Sequence, residues 1–427
     1  MTEPAAAKGA SIADVTANDL CIGCGLCESV TEGRVRMVMT AQGSLRPSPV
    51  AALTAAEDAL LAAACPGVVA PVRVDFNGGG ELDGGESGHE PTIEFDPIWG
   101  AHRSTVMAWA GEPEVRYRAA TGGVLTALGR HLLASGEVAF VLHVGADPTS
   151  PTRSRWVISE TPDEVLANTG SRYGPTAPLA GLGAALDRDQ PFALVAKPCD
   201  LGAVHAFATT DPRVDKLCRF RLAMVCGGQS RLTKTLGVLD GFGVGESEVT
   251  LMRYRGHGNP GPTRVETRSG AAHELTYLDM WAEEAGWDLE TRCKLCPDAL
   301  GECADVAAAD AWPGGAPTEE DEGFNAIVVR TDAGLRLIAD AVAADRLVLG
   351  EPVAVEQLND FQPHQVRKKL ALAARYRGMV DAGVEPIQAP DLRLDELGER
   401  LAPAAADAQQ AGTLRRFQAI QSRGRNP

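Results

Sequence analysis

Aromatic residues are scarce, 5% of 427, and no apolar run approaches the ~20 residues that a bilayer-spanning helix needs. The opening MTEPAAAKGASIADV has neither the basic segment nor the apolar stretch of an export leader. A membrane is therefore not expected as a partner, and a cytoplasmic location is. Positive charge is also in short supply. With 40 Lys and Arg against 57 Asp and Glu, the formal net charge is −17, which repels nucleic acid and anionic lipid. Small molecules and other proteins remain as partners, and homo-oligomerisation is left open. No internal repeat is visible. The 44% hydrophobic and 23% charged residues are those of an ordinary globular chain, long enough for two or three folded units.

What the chain does have is ten cysteines. In a reducing compartment clustered thiols are metal ligands or redox groups rather than disulfides. The stretch CIGCGLC places Cys21, Cys24 and Cys27 at intervals of three, with glycines for tight turns. That pattern fits one corner of a [4Fe–4S] cluster, whose fourth thiolate in bacterial ferredoxins comes from a distant Cys-Pro. Cys65, followed by Pro66, fills that role. A zinc knuckle on the same four thiols is the alternative.

The pattern of the chain suggests a mobile N-terminus over 1–17 and a small module over 18–76, with alternating Val35, Met37 and Met39 and a helix ending at Cys65. A Gly-rich, acidic linker follows at 77–92. From 93 to 350, β-like runs (VAFVLHV, PFALVA, FRLAMV, NAIVV) alternate with helical patterns, predicting an α/β or α+β sheet covered by helices. A helical segment with a basic amphipathic stretch, PHQVRKKLALAARYRGM, and a basic tail occupies 351–427.

A second group of cysteines is scattered. Cys199 and Cys226 each follow a short apolar run, and RCKLCPDALGEC adds Cys293, Cys296 and Cys303. Carboxyl ends of neighbouring strands converge on one edge of a sheet, where α/β proteins place their sites. Spacing alone leaves a second cluster and a set of buried structural thiols equally open.

Six stretches in order, YRAATGGVLTAL, GSRYGPTAPL, AKPCDLGAV, MVCGG, YRGHGNPGP and RCKLCPDALGECADVAAAD, resemble the beta subunit family of coenzyme F420-reducing hydrogenase and dehydrogenase. That family also includes 7-hydroxymethyl chlorophyll a reductase and ferredoxin-dependent divinyl chlorophyllide reductase. The resemblance implies an iron–sulfur flavoprotein: a ferredoxin-like module with one [4Fe–4S] cluster, then a mixed-sheet domain binding FAD beside a second. It also implies Cys199, Cys226, Cys293 and Cys296 as the second ligand set. Cys303 falls where relatives often have another residue, so it competes for one of those places.

The residues around these motifs suit a flavin. Thr121, Gly122 and Gly123 precede a helix, whose N-terminus offers amides and a positive dipole end to a phosphate; a plain tight turn is the rival reading. Thr161, Pro162 and Glu164 start another helix, placing Ser171, Arg172 and Tyr173 on the loop behind it, where they suit a diphosphate or a ring edge. Arg255 and His257 sit on a Gly/Pro-rich loop able to cover a flavin face, with His257 the candidate acid. Lys197, beside Cys199, can stabilise a reduced, anionic flavin. Clusters pass single electrons and flavin stores two. The expected function is an oxidoreductase drawing electrons from ferredoxin, or another low-potential carrier, to reduce a small-molecule substrate. The alternative is an electron-transfer subunit docked on a partner dehydrogenase or hydrogenase chain, using coenzyme F420.

Overall fold

The computed structural model describes residues 11–73, 93–281, 283–312, 317 and 322–424. The linker expected at 77–92 lies outside the described residues, as does most of the N-terminus expected to be mobile. Ser11 and Asp14 form a reciprocal capping box on helix Ile12–Ala17, and Val15 is buried. Residues 12–17, expected to be mobile, are instead a short helix that a satisfied cap and one buried side chain hold in place.

An eight-stranded mixed sheet forms the centre. Its strands are β1 (Ser104–Ala110), β2 (Phe140–Ala146), β3 (Ser154–Ser159), β4 (Phe192–Ala196), β5 (Cys218–Met224), β6 (Val306–Ala311), β7 (Phe324–Val329) and β8 (Leu347–Pro352). They lie in the order β8-β1-β7-β6-β5-β4-β2-β3. The four strands β6, β5, β4 and β2 run parallel; those flanking them pair antiparallel. The parallel strands are apolar on both faces, as strands covered by helices must be. Their alternation sends Phe140, Leu142, Phe192 and Leu194 into one core and Val141, Ala193 and Leu222 into the other, following the period of two along a strand.

Helices Val124–Ala134 and Asp332–Ala343 cover the second face through Leu128, Leu132, Leu337 and Ile338. Helix Pro198–Ala208 covers the first through Leu201, Val204 and Phe207. The N-terminal module is a hairpin, Val35–Met39 with Leu45–Pro49, flanked by short helices and by Ala55–Ala64. It is not set apart from the rest. Ile22, Cys24, Leu26 and Ala64 belong to the same core as Phe192 and Leu201, while Val15, Leu20 and Val68 pack with Leu295, Met379 and Phe417. The basic amphipathic stretch forms two helices, Pro363–Leu370 and Leu372–Asp381, and two of its cations turn inward while Arg367 and Arg377 stay exposed. Lys368 donates to the Gly227 carbonyl (3.2 Å), and buried Lys369 pairs with Glu302 (2.5 Å). Among the described residues no helix is long and apolar enough to cross a membrane.

Candidate functional site

Two groups of four thiols lie on either side of a narrow partition. In the first, Gly23 and Gly25 take φ of +74° and +88° so that the chain can fold back between Cys21, Cys24 and Cys27. A Cβ at Gly25 would stand 2.7 Å from the Ala180 amide nitrogen, so only glycine fits. Cys65 ends helix Ala55–Ala64. The four thiols are near enough for their charges to act on one another, Cys24 with Cys27 and Cys65, and Cys21 with Cys65. Burial pushes Cys21 up to about 12, against the pull of the Arg46 guanidinium. Arg46 reaches Asp19 (2.6 Å) and the buried Glu290 (2.7 Å), tying this group to the distant part of the chain.

The second group stands at the carboxyl edge of the parallel strands. β4 and β5 are neighbours, so Cys199, in the first turn after β4, and Cys226, two residues past β5, come out side by side. Cys293 and Cys296 close over them. Cys293 Sγ accepts from the Gln229 amide (3.2 Å) and Cys296 Sγ donates to the Asp298 carbonyl (2.9 Å). Charges on these thiols act mutually, Cys296 with both Cys199 and Cys226, and Cys226 with Cys293. Burial pushes Cys293 up to about 12. Cys303 is elsewhere: it donates to the Pro71 carbonyl (3.1 Å) and neighbours Asp298 and Arg221. All ten cysteines are free thiols. Among the described residues no three His, Cys, Asp or Glu side chains are gathered as a single metal ion would need.

Beside the second group opens a cavity of about 420 Å³, within the size range of cofactor sites. Lys197, Cys226 and Gly228 belong to the walls of both the cavity and the small chamber between the thiols. Thr121, Gly123, Ser171, Arg172, Tyr173 and Arg255 also line the cavity, so the structure brings most of the expected flavin contacts together. Gly123 holds φ +77° at the start of helix Val124–Ala134, where the Val124 amide already donates to Asn325 Oδ1 (3.3 Å). Lys197 is held by Asp200 (2.8 Å) and by the Thr176 hydroxyl (2.8 Å). Burial opposes its charge, while Asp200 and the Cys199 thiol favour it, and the balance raises its pKa. Arg255 bonds Asp310 (2.6 Å), the Tyr173 hydroxyl (3.1 Å) and the Ala120 carbonyl (2.8 Å).

Three expected residues play other parts. His257 does not line the cavity; it is exposed, at φ +58°, with its ring edge-on to Tyr117 at 5.6 Å. Arg172 spends its nitrogens on Ser154 and the carbonyls of Met252, Pro151 and Arg153 while stacking on Tyr254, so it braces the loop. Gly122 packs the helix on the sheet: a Cβ there would meet the Ala108 carbonyl and the Asn325 amide, each at 2.8 Å.

Sequence reasoning missed the aromatic wall. Tyr277, Trp281, Trp287 and Trp312 line the cavity, and Trp281 packs on Tyr173 at 4.1 Å. In a chain so poor in aromatics, four rings between 277 and 312 were the available signal. His143 and His364 line the cavity too. His143 bonds Ser159 (2.8 Å), and burial lowers its pKa to about 4; His364 bonds Glu284 (2.8 Å).

The family description "Coenzyme F420 hydrogenase/dehydrogenase, beta subunit" matches twice, its N-terminal part over residues 105–182 and its C-terminal part over 189–355. This chain belongs to that family. The F420-dependent formate dehydrogenase 1 subunit beta of Methanococcus maripaludis is 24% identical over 246 residues, 54% of this chain and 57% of that protein. The chain thus spans little more than half the length of that relative. The coenzyme F420 hydrogenase subunit beta of Methanothermobacter thermautotrophicus is 22% identical over 257 residues, 58% of this chain and 84% of that protein. One chain of the F420-reducing [NiFe] hydrogenase complex from Methanosarcina barkeri shares the fold, with a TM-score of 0.53 and 18% identity over 70% of this chain and 99% of that one. These relatives are by name subunits of a dehydrogenase and of hydrogenases. The second thiol group and its neighbouring cavity fall mostly within the matched residues; the first thiol group precedes them.

Proposed function

We propose that this chain is an electron-transferring beta-type subunit of a hydrogenase or dehydrogenase assembly, with FAD in the 420 Å³ cavity, a [4Fe–4S] cluster on each thiol group, and coenzyme F420 as the organic redox partner. The observation that carries this reading is the wall that Lys197, Cys226 and Gly228 share between the thiol chamber and the cavity. A four-iron cluster spreads its thiolates farther apart than one ion does, in keeping with four thiols that converge without closing on a point.

The cavity fits a flavin. Its rings offer a flat apolar wall, and His364 Nε2, Trp281 Nε1 and Ser230 Oγ, on residues lining it, are buried without a partner. Bound there, FAD would exchange single electrons for electron pairs. The chain's own residues then have plain tasks. Lys197, anchored by Asp200, holds a positive charge beside both compartments. Arg255 fixes Tyr173 and Asp310, and the aromatic wall excludes water. With the Val124 amide taken by Asn325, the remaining first-turn amides of helix Val124–Ala134 would supply the positive end for a phosphate.

The test is recovery of a stoichiometric hydrogenase or dehydrogenase chain with this protein from its native host, with F420 turnover by the assembly. A second reading, a free-standing reductase fed by ferredoxin and acting on a small organic substrate, draws on the first thiol group, which lies before the family-matched residues at 105–355. Isolated chain that turns over such a substrate with reduced ferredoxin, and brings down no partner, would favour that reading.

A further inference from the structure

Arg292 stands in the partition between the two thiol groups. It is 1% exposed and lies immediately before Cys293 in the short helix Thr291–Lys294. Its Nε–H donates to the Pro66 carbonyl at 2.7 Å, one residue beyond Cys65 of the first group. On the other side its guanidinium reaches the Cys296 thiol and neighbours Cys199, and it borders the second chamber together with Ile22, which lies between Cys21 and Cys24. The same cation acts on Cys65. It therefore stands bonded beside the first group and on the wall of the second, with its charge acting on both.

Its missing counter-charge is the telling feature. Buried Arg46, Arg221 and Arg255 each meet a carboxylate, Glu290, Asp215 and Asp310 respectively. Arg330 meets none, but its terminal nitrogens donate to three carbonyls. Among the described residues Arg292 has no carboxylate within ion-pair reach and one carbonyl bond. A guanidinium stays charged at any working pH, and an unpaired charge out of water is costly. Neutral thiols do not offset it; thiolates ligating an anionic cluster on either side would.

We propose that Arg292 is a positioning residue shared by two iron–sulfur clusters, its single buried positive charge poising both and its bond to Pro66 fixing the spacing across which electrons pass. The inference rests on the cluster assignment under Proposed function. Reduction adds one electron, and so one negative charge, to a cluster; a cation between the two favours the reduced form of each.

The experiment is a redox titration of the full chain, purified without oxygen and followed by electron paramagnetic resonance, with iron content measured in parallel. In Arg292→Gln the ratio of reduced to oxidised cluster at a fixed poise should fall about tenfold for both clusters. Arg292→Lys, which keeps the charge, should restore both ratios to within about twofold of the native chain. A shift in one cluster only, or in neither, overturns the inference. If the Gln variant loads less iron, the Lys variant decides: normal loading and near-native ratios support the charge, while an equal loss in both variants assigns Arg292 to packing and overturns it. A native chain without two cluster signals would instead defeat the cluster assignment itself, and this inference with it.

Discussion

The two thiol groups are built by opposite routes. The first draws Cys21, Cys24, Cys27 and Cys65 from one short module, whose loop geometry is set by Gly23 and Gly25. The second draws Cys199 and Cys226 from the ends of two parallel strands and Cys293 and Cys296 from a segment that arrives much later in the chain. Local spacing specifies the one, and sheet topology specifies the other. Substitutions should separate them: the first group is exposed to changes in its own turns, the second to anything that moves β4 against β5.

The largest expected effect is loss of a ligand. Cys226→Ala should remove about half of the iron and also weaken flavin retention, since Cys226 is part of the cavity wall. Cys24→Ala should remove the other half and leave the flavin absorbance in place. Metal analysis and the flavin band report both. Equal flavin loss in the two variants would erase the difference between the groups, and the shared core of Cys24 with Phe192 and Leu201 is the route by which that would happen.

Next come the glycines. Gly25→Ala must adopt φ +88° and set a Cβ 2.7 Å from the Ala180 nitrogen, which should cost roughly 1–3 kcal/mol of stability from overpacking, with the left-handed strain on top. Gly122→Ala meets backbone at 2.8 Å and should cost a similar amount, roughly 1–3 kcal/mol, but with its signature in flavin binding rather than in iron. Thermal or denaturant unfolding of each variant, with its iron and flavin content, checks the pair.

A smaller effect belongs to the cavity side alone. His143 titrates at about 4 in the folded chain because it is buried, against about 6.5 when unfolded. Between those values the unfolded state takes up a proton that the folded state refuses. Stability should therefore fall as pH drops from about 6.5 to about 4, by at most roughly 3 kcal/mol, and this contribution should be flat outside that window. In His143→Gln the slope over that window should shrink. Smallest of all, Cys303→Ala should leave iron content near native, because Cys303 bonds the Pro71 carbonyl away from both groups.

Much of this was legible in the sequence. The runs PFALVA and FRLAMV form the adjacent strands expected of them, because apolar β-formers buried on both faces admit little else. Thr161 and Glu164 make the capping box their spacing implies. The aromatic wall was not legible, since Tyr277 and Trp281, on the short helix Tyr277–Trp281, meet Trp312, the residue after β6, only once the chain has folded. Nor was the fate of Arg172: four acceptors reach it from segments outside its own loop. His257 misled because a Gly/Pro-rich loop does not announce which of its side chains turns inward. The inward cation is Arg255, two residues earlier, set by its pairing with Asp310. The N-terminal module reads as separate by its composition, yet Arg46 and Asp19 bind it to Glu290 and Arg231.

The central claim is that two four-thiol groups each hold a cluster beside a flavin cavity. Its most direct measurement is the iron, acid-labile sulfide and flavin content of the chain purified without oxygen. About eight irons, about eight sulfides and one flavin per chain are predicted; zinc in place of iron, with no acid-labile sulfide, would contradict the account.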